Sequence, residues 1–314
     1  MFLEMTTRPS IGLALGSGSA RGWAHIGVLR GLQRENIAVH IISGTSIGAV
    51  VGAAFAAGAL DSLESWARKL DWSDILKFVD ITIPRSGLIE GEKMAAFFTE
   101  QIGYRAIEEL PLPFGAVSTD LLSGEEVWLT QGPLFEALRA SIAMPGIFTP
   151  TLLKGRWLVD GGLVNPIPVS LCRAMGAQVV IAVNLNTGLV SRSQVQKERR
   201  ARKRKTRQGA PRLGHLISSS LNHGLRRGKS LFFERLGSDS AERGPSLFHV
   251  LVTSLHIMQD CITNHRLTID PPDILISPPL AHVGLLEFHR AQEVIAAGEA
   301  ALEQVLPRIR KLLG

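Results

Sequence analysis

The residues most able to carry out chemistry lie in a Gly-x-Ser-x-Gly pattern from Gly44 to Gly48, with Ser46 at its centre. The apolar, β-branched run before it, Val39–Ile42, predicts a short buried strand, and the small residues after it, Ile47–Gly58, predict a buried helix. A strand that turns sharply into a helix through this pattern is a nucleophile elbow, which exposes the serine hydroxyl at the tip of the turn. Ser46 is therefore the candidate nucleophile.

A second glycine-rich stretch, Gly16–Gly22, follows the predicted first strand, Ile11–Leu15, and opens a predicted helix, Trp23–Arg34. Its spacing, GxGxxxG, departs from the dinucleotide fingerprint, and the second strand ends in Ser43 and Gly44 with no carboxylate for a ribose. The stretch also lacks the Gly-Lys-Ser/Thr of a P-loop. We therefore predict an oxyanion hole, in which backbone N–H groups stabilise the negative charge of an acyl tetrahedral intermediate.

A serine nucleophile needs a base, and Asp160 is the first candidate. It follows a predicted short strand, Arg156–Val159, and begins an Asp-Gly-Gly turn with Gly161 and Gly162. The flexible backbone of such a turn can bring the carboxylate close to Ser46.

A histidine base is the alternative, because the chain contains nine histidines and a Ser-His-Asp triad on an ordinary α/β-hydrolase fold could use His282 or His289. In those enzymes, however, the elbow comes after several strands, whereas here it follows only the second. The early elbow favours the aspartate. His25, on the first predicted helix, is interpreted as a packing or hydrogen-bonding residue.

The order of predicted elements indicates an α/β fold. Two strands joined by one helix within the first fifty residues form a βαβ unit, so the sheet should be largely parallel. Further strands are predicted at Phe114–Ser118, Glu126–Leu129, Arg156–Val159, Val179–Val183 and Asp273–Ile276. Further helices are predicted at Leu63–Leu70, Lys93–Ile102, Pro133–Ala143, Leu247–Arg266 and Leu286–Leu313.

Composition limits the class of protein. Of 314 residues, 45% are hydrophobic and 20% charged, a balance typical of a globular chain. The two cysteines, Cys172 and Cys261, show neither disulfide nor metal-ligand spacing and suit a reducing compartment; no metal or cofactor is predicted. No segment has a signal peptide's apolar core or the roughly 18 apolar residues of a membrane span. We expect a cytoplasmic protein whose membrane contact, if any, is peripheral, on the inner face.

Positive charge is concentrated in one segment. The net charge is +6 and the sequence pI about 9.7, which favours anionic partners. The composition predicts a core at 11–187, a basic and partly disordered insert at 188–246, and a helix-strand-helix segment at 247–314 that completes the core. The basic run Lys197–Arg207 and the basic amphipathic stretch after it predict contact with an anionic membrane surface. Because no nucleic-acid recognition motif accompanies the run, no specific nucleic-acid partner is expected.

The ordered combination of a glycine-rich loop with Arg21, Gly-Thr-Ser-Ile-Gly around Ser46, and Asp-Gly-Gly from Asp160 resembles the patatin-like phospholipase family. The block Ser141–Pro150 also resembles that family, and Leu285–Ala291 resembles a bacterial subgroup of it. The resemblance covers residues 12–186 and resumes over residues 257–293.

The resemblance implies a three-layer α/β/α fold with a largely parallel central sheet. It also implies a serine lipid acyl hydrolase of the phospholipase A, lysophospholipase or esterase type, with a Ser-Asp dyad, an acyl-enzyme intermediate and no cofactor. Ser46 would be the nucleophile and Asp160 the base. A catalytically weak patatin fold that serves as a membrane-recruited interaction protein is the alternative from another class.

The same resemblance assigns the loop residues. The oxyanion hole and substrate contacts would come from Gly18, Ser19, Arg21 and Gly22. Arg21 would either anchor the loop or meet a substrate phosphate, and the anchoring role is favoured. The elbow and loops would be shaped by Gly16, Gly44, Gly48, Gly161 and Gly162. Two positions that are often glycine in the family are Ser17 and Ser19 here, and the backbone donors of the loop survive that change.

Overall fold

An eight-stranded mixed sheet forms the centre of the computed structural model, which describes residues 9–71, 103, 105–188 and 247–314. The strands are β1 (Ile11–Leu15), β2 (Ile41–Thr45), β3 (Phe114–Asp120), β4 (Glu126–Leu129), β5 (Thr151–Leu153), β6 (Arg156–Asp160), β7 (Val179–Val183) and β8 (Ile274–Ile276). The helices are α1 (Ala24–Arg34), α2 (Ile47–Ala56), α3 (Leu60–Lys69), α4 (Leu134–Ser141), α5 (Val169–Ala174), α6 (Leu247–Ile269) and α7 (Ala291–Leu313).

The five strands β3-β2-β1-β7-β8 are parallel neighbours. Both faces of β1 and β7 are buried, as expected where apolar strands are covered by helices on both sides. Alternate residues of each strand enter different clusters: Leu13 and Ile181 join the large core with α1, α2 and α7, whereas Ala14 and Val180 join a smaller core with α5. The predicted three-layer α/β/α architecture with a parallel centre is confirmed.

The antiparallel part of the sheet positions the strand that ends at Asp160. Residues 116–119 of β3 pair with β4, residues 114–117 pair with β2, and residues 118–120 pair with β6. A residue in a sheet can pair with only one strand on each of its two edges. Residues 116–119 pair with β4 and also with either β2 or β6, so β4 lies along one edge of β3. β2 and β6 lie along the other edge, end to end. Thr45 lies opposite Val117, and Asp160 lies opposite the next residue, Ser118.

The helix α1 packs against α7 through glycines. A Cβ at Gly27 would overlap the carbonyl oxygen of Ile295, and a Cβ at Gly298 would overlap that of Ala24. The absence of side chains at these positions therefore lets the two backbones approach closely. This contact supports α1, which follows directly after the glycine-rich loop.

The observed elements differ from the predicted ones mainly at their ends. β2 starts at Ile41 and continues through Ser43 and Gly44, because these residues pair with β1 and β3. The short strand β5 and the short helix α5 were not predicted. The predicted helix Lys93–Ile102, the basic run Lys197–Arg207 and the amphipathic stretch after it lie outside the described residues.

The chain divides into two compact units. One comprises residues 1–187 and 258–314 and contains the whole sheet, and the other comprises residues 188–257. The predicted organisation into a core, an insert and a C-terminal segment stays a prediction. Among the residues that the structure describes, no helix is both long and apolar enough to cross a bilayer.

Candidate active site

The turn between β2 and α2 is a strained elbow. Ser46 has φ 57° and ψ −124°, a left-handed conformation that is costly for a residue other than glycine. The glycines on either side are required by space, because a Cβ at Gly44 would overlap the backbone of Ala49 and a Cβ at Gly48 would overlap the carbonyl of Leu15. The predicted elbow geometry is thus present at Ser46.

The Ser46 hydroxyl is hydrogen-bonded to the Asp160 carboxylate. Ser46 Oγ donates to Asp160 Oδ2 at 2.6 Å, and the backbone N–H of Gly162 donates to Oδ1 at 2.7 Å. The Asp160 N–H donates to the carbonyl of Ala143 at 3.0 Å. A Cβ at Gly161 would overlap the Val117 carbonyl, so position 161 must be glycine if β6 is to end beside β3. Both bonded side chains are buried, with 6% of Ser46 and 1% of Asp160 exposed.

Burial makes Asp160 a stronger base than an ordinary aspartate. Loss of solvent around the carboxylate raises the pKa of Asp160 to about 6, against the opposing effect of the hydrogen bonds from Ser46 and Gly162. The carboxylate is therefore still mostly ionised at neutral pH, and its affinity for a proton is well above that of an exposed aspartate.

The glycine-rich loop is fastened at its start by the backbone. Gly16 N donates to Val183 O at 3.1 Å, and Ser17 N donates to Pro166 O at 2.8 Å. His25 Nε2 donates to Gly16 O at 2.8 Å. The Ser17 side chain is buried and accepts a hydrogen bond from Asn186 Nδ2 at 3.2 Å.

The second half of the loop leaves two donors open. Within the described part of the chain, the backbone N–H groups of Gly18 and Ser19 have no hydrogen-bond acceptor. Arg21 is buried, and both its backbone N–H and its Nε donate to the Gly18 carbonyl, at 3.2 and 3.1 Å. A Cβ at Gly22 would overlap the side chain of Ile47, the residue after Ser46. The loop therefore packs directly against the elbow.

The histidines considered for a triad lie elsewhere. His25 is buried, and burial lowers the pKa of its imidazole to about 4, so the ring is neutral at pH 7. Its hydrogen bond goes to the Gly16 carbonyl of the glycine-rich loop. His282 Nε2 lies 2.6 Å from Glu293 Oε1 on an exposed surface. Among the described residues no histidine, His289 included, hydrogen-bonds to Ser46 or Asp160.

Comparison with known proteins decides the family of this site. The patatin-like phospholipase family matches residues 13–173, which include the glycine-rich loop, the elbow and the Asp-Gly-Gly turn. An uncharacterized NTE family protein of Mycobacterium tuberculosis is 36% identical over 339 aligned positions, which cover 96% of this chain and 92% of that protein. The chain belongs to the patatin-like phospholipase family.

Two further matches are more distant. Patatin-like phospholipase domain-containing protein 7 of Rattus norvegicus is 36% identical over 191 residues, which are 59% of this chain and 14% of that protein. Among solved structures, VipD from Legionella pneumophila aligns over 97% of this chain and 77% of its own, with a TM-score of 0.37 and 13% identity. The resemblance predicted from the motifs is confirmed, and membership of the patatin-like phospholipase family supports hydrolysis of lipid esters in the broad sense.

A serine that the sequence did not single out supports the elbow of this patatin-like chain. Ser141 Oγ accepts the backbone N–H of Ser46 at 2.9 Å and donates to Val117 O at 2.6 Å. It thereby joins the elbow to β3, the strand that also pairs with β6. The only sequence signal was the family-like block that begins at Ser141, which gave no role to the side chain.

The turn after Asp160 is held by residues far away in the chain. Arg266, on α6, donates from Nε to Val164 O at 3.1 Å and from Nη2 to Glu126 Oε2 at 2.6 Å. The Thr45 hydroxyl donates to Asn165 O at 2.8 Å, next to the elbow. These contacts fix the turn from two sides, and nothing in the sequence pointed to them.

The patatin-like site contains no obvious metal ligands. Within the described ranges no group of three or more His, Cys, Asp or Glu side chains is arranged to hold a metal ion. Cys172 and Cys261 are free thiols. Burial raises the pKa of the Cys172 thiol to about 11, so it is protonated and unreactive at neutral pH.

Proposed function

We propose that this chain is a serine acyl hydrolase of lipid esters in which Ser46 is the nucleophile and Asp160 the base. The observation that carries the proposal is the 2.6 Å hydrogen bond from Ser46 Oγ to Asp160 Oδ2, buried at a strained elbow. A nucleophile within hydrogen-bond reach of a base that a third group orients is the arrangement expected for covalent catalysis. Here the third group is the backbone N–H of Gly162.

In the proposed reaction Asp160 takes the proton of the Ser46 hydroxyl as Oγ attacks the ester carbonyl. The tetrahedral intermediate collapses, the C–O bond to the alcohol breaks, and the alcohol leaves with the proton held by Asp160. An acyl-enzyme on Ser46 is left. Water then attacks this ester and gives its proton to Asp160, and the fatty acid departs as Ser46 recovers the proton.

The negative charge of the tetrahedral intermediate needs donors close to the elbow. We assign this role to the backbone N–H groups of Gly18 and Ser19, which have no acceptor in the described part of the chain. Arg21 anchors the loop through its bonds to the Gly18 carbonyl, and Gly22 allows the loop to approach Ile47. Fixed donors of this kind commonly contribute two to three orders of magnitude to the rate of acyl transfer.

The test is hydrolysis of a soluble short-chain ester by purified variants. Ser46→Ala and Asp160→Asn should each lower kcat by at least about 10³-fold, because neither variant can transfer the proton to or from a nucleophile. Both should stay folded by circular dichroism. Ser123→Ala, an exposed serine in the turn between β3 and β4, is the matched control and should keep wild-type turnover.

The triad alternative is tested in the same assay. His25→Ala, His282→Ala and His289→Ala should each leave measurable turnover, because none of these side chains hydrogen-bonds to the dyad. If one of these histidine variants were as inactive as Ser46→Ala, with its fold intact, the result would support a Ser-His-Asp triad in place of the dyad. Wild-type activity in Ser46→Ala would refute the assignment of Ser46 as the nucleophile.

A further inference from the structure

The glycine-rich loop contains a serine in a conformation that favours glycine. Ser19 has φ 51°, in the left-handed region that favours glycine. A glycine would adopt this conformation at no cost. For serine this conformation costs free energy, which contacts with the surrounding structure must offset.

The Ser19 side chain makes such a contact. Its hydroxyl donates to the carbonyl oxygen of Leu285 at 2.8 Å, and the backbone N–H of Ala20 donates to the same oxygen at 3.1 Å. One carbonyl thus receives two bonds from adjacent residues of the loop. The two bonds fix the loop on the C-terminal side of the Gly18 and Ser19 N–H groups. Leu285 lies outside residues 13–173, the part of the chain that matches the patatin-like phospholipase family.

The segment that carries this carbonyl is itself fastened to the start of α1. Trp23 Nε1 donates to the carbonyl of Phe288 at 3.1 Å. The Trp23 ring contacts the rings of Phe288 and Trp66 edge to face, with centroids 5.9 and 6.0 Å apart. The Glu287 carboxylate accepts the backbone N–H of Gly284 at 2.7 Å, which closes the turn around Leu285. The carbonyl is therefore a fixed point for the loop.

We propose that Ser19 is a positioning residue for the oxyanion hole, and that its hydroxyl locks the loop onto the segment 284–288. The inference rests on the proposed function. Oxyanion donors act best when they are held in place before the reaction, and a glycine at this position would leave the peptide free to rotate. The hydrogen bond from the Ser19 hydroxyl to the Leu285 carbonyl restricts this peptide to one conformation. The C-terminal segment, outside the family match, thereby becomes part of the active site.

The variants Ser19→Gly and Ser19→Ala test this role. Both remove the hydroxyl, but glycine also removes the cost of the left-handed conformation. We expect Ser19→Gly to keep or raise the melting temperature while kcat on a soluble short-chain ester falls about tenfold, the worth of one ordinary hydrogen bond. KM should change less than about twofold. Ser19→Ala should lose kcat to the same extent and also melt at a lower temperature.

Lys154→Gly is the matched control. Lys154 is another non-glycine residue with positive φ, 49°, and lies between β5 and β6, outside the loop. Its replacement should relieve backbone strain in the same way and leave kcat at the wild-type value. A fall in kcat without a fall in stability, seen for Ser19→Gly and not for Lys154→Gly, is a result that a purely structural role would not produce.

The outcomes separate the two proposals. Wild-type kcat in Ser19→Gly, beside an active wild type and an inactive Ser46→Ala, would overturn the role of Ser19 and leave the proposed function intact. A loss of activity in Ser19→Gly that is no larger than the fraction of unfolded protein would overturn the role of Ser19 as well. A folded wild type that neither turns over esters nor reacts with a fluorophosphonate would overturn both.

Discussion

At the residue scale the proposed chemistry depends on one buried carboxyl group. Asp160 loses its solvent where β6 ends beside β3, and the pKa of the carboxyl rises to about 6. In the proposed reaction the base is the ionised form of Asp160, so the fraction of active enzyme should increase as the pH rises through that value. Desolvation therefore gives the site both its basicity and its dependence on pH.

We predict that kcat/KM on a neutral short-chain ester falls tenfold per pH unit below about pH 6 and is constant above it, because kcat/KM reports the pKa of the free enzyme. The measurement is a pH-rate profile from about pH 4.5 to about pH 8.5. Circular dichroism at each pH is the control for unfolding. A midpoint near the ordinary aspartate value of about 4, with the fold intact, would contradict the desolvation of Asp160.

At the element scale the dyad depends on an arrangement of strands that is not local in sequence. β2 and β6 share one edge of β3, which brings Ser46 and Asp160, 114 residues apart, into hydrogen-bond contact. The elements themselves were largely predictable, because β1 and β7 are short apolar runs and β3 and β4 flank a turn. The pairing of the strands was not predictable, because sequence periodicity does not specify that β2 and β6 lie end to end along the same edge of β3.

Several supporting contacts also escaped prediction for physical reasons. β5 has three residues, too few for a pattern, and α5 follows Pro166 and Pro168, which usually mark loops. Ser141 looks in sequence like any serine near a helix end. The Ser19 hydroxyl bonds to a carbonyl 266 residues away, and a backbone acceptor leaves no trace in residue type. The motifs therefore pointed to Ser46 and Asp160, the proposed nucleophile and base, whereas the contacts that support them could be seen only in the fold.

The packing of α1 on α7 gives a prediction of its own. Gly27→Ala should lower the free energy of unfolding by about 2 kcal/mol or more, because its Cβ would overlap the backbone of Ile295, which cannot move aside. Gly31→Ala, on the same helix, would meet only the end of the Leu302 side chain. That variant should change stability by about 1 kcal/mol or less, since alanine also favours the helix.

Urea unfolding measures both variants, and activity per folded molecule should be unchanged in each. Equal destabilisation by the two substitutions would mean that close backbone approach is not what the glycine at position 27 provides.

At the scale of the whole molecule, charge predicts where the protein meets its substrate. The net charge is +6, and the basic run Lys197–Arg207 lies outside the described residues. We propose that this run binds anionic lipid surfaces, because each basic residue near such a surface contributes on the order of 1 kcal/mol. The protein should co-sediment with anionic vesicles but not with zwitterionic ones, and binding should fall as salt rises. A variant with the run neutralised should lose this binding; equal binding by the two proteins would refute the proposal.

The most direct test of the central claim is covalent labelling of the full chain with a fluorophosphonate, followed by peptide mapping. An activated serine reacts with this reagent and an ordinary one does not. We expect one adduct, on the peptide that contains Ser46, which is absent in Ser46→Ala and greatly reduced in Asp160→Asn. An adduct on another serine, or none on the folded wild-type protein, would contradict the assignment of Ser46 and Asp160 as the catalytic dyad.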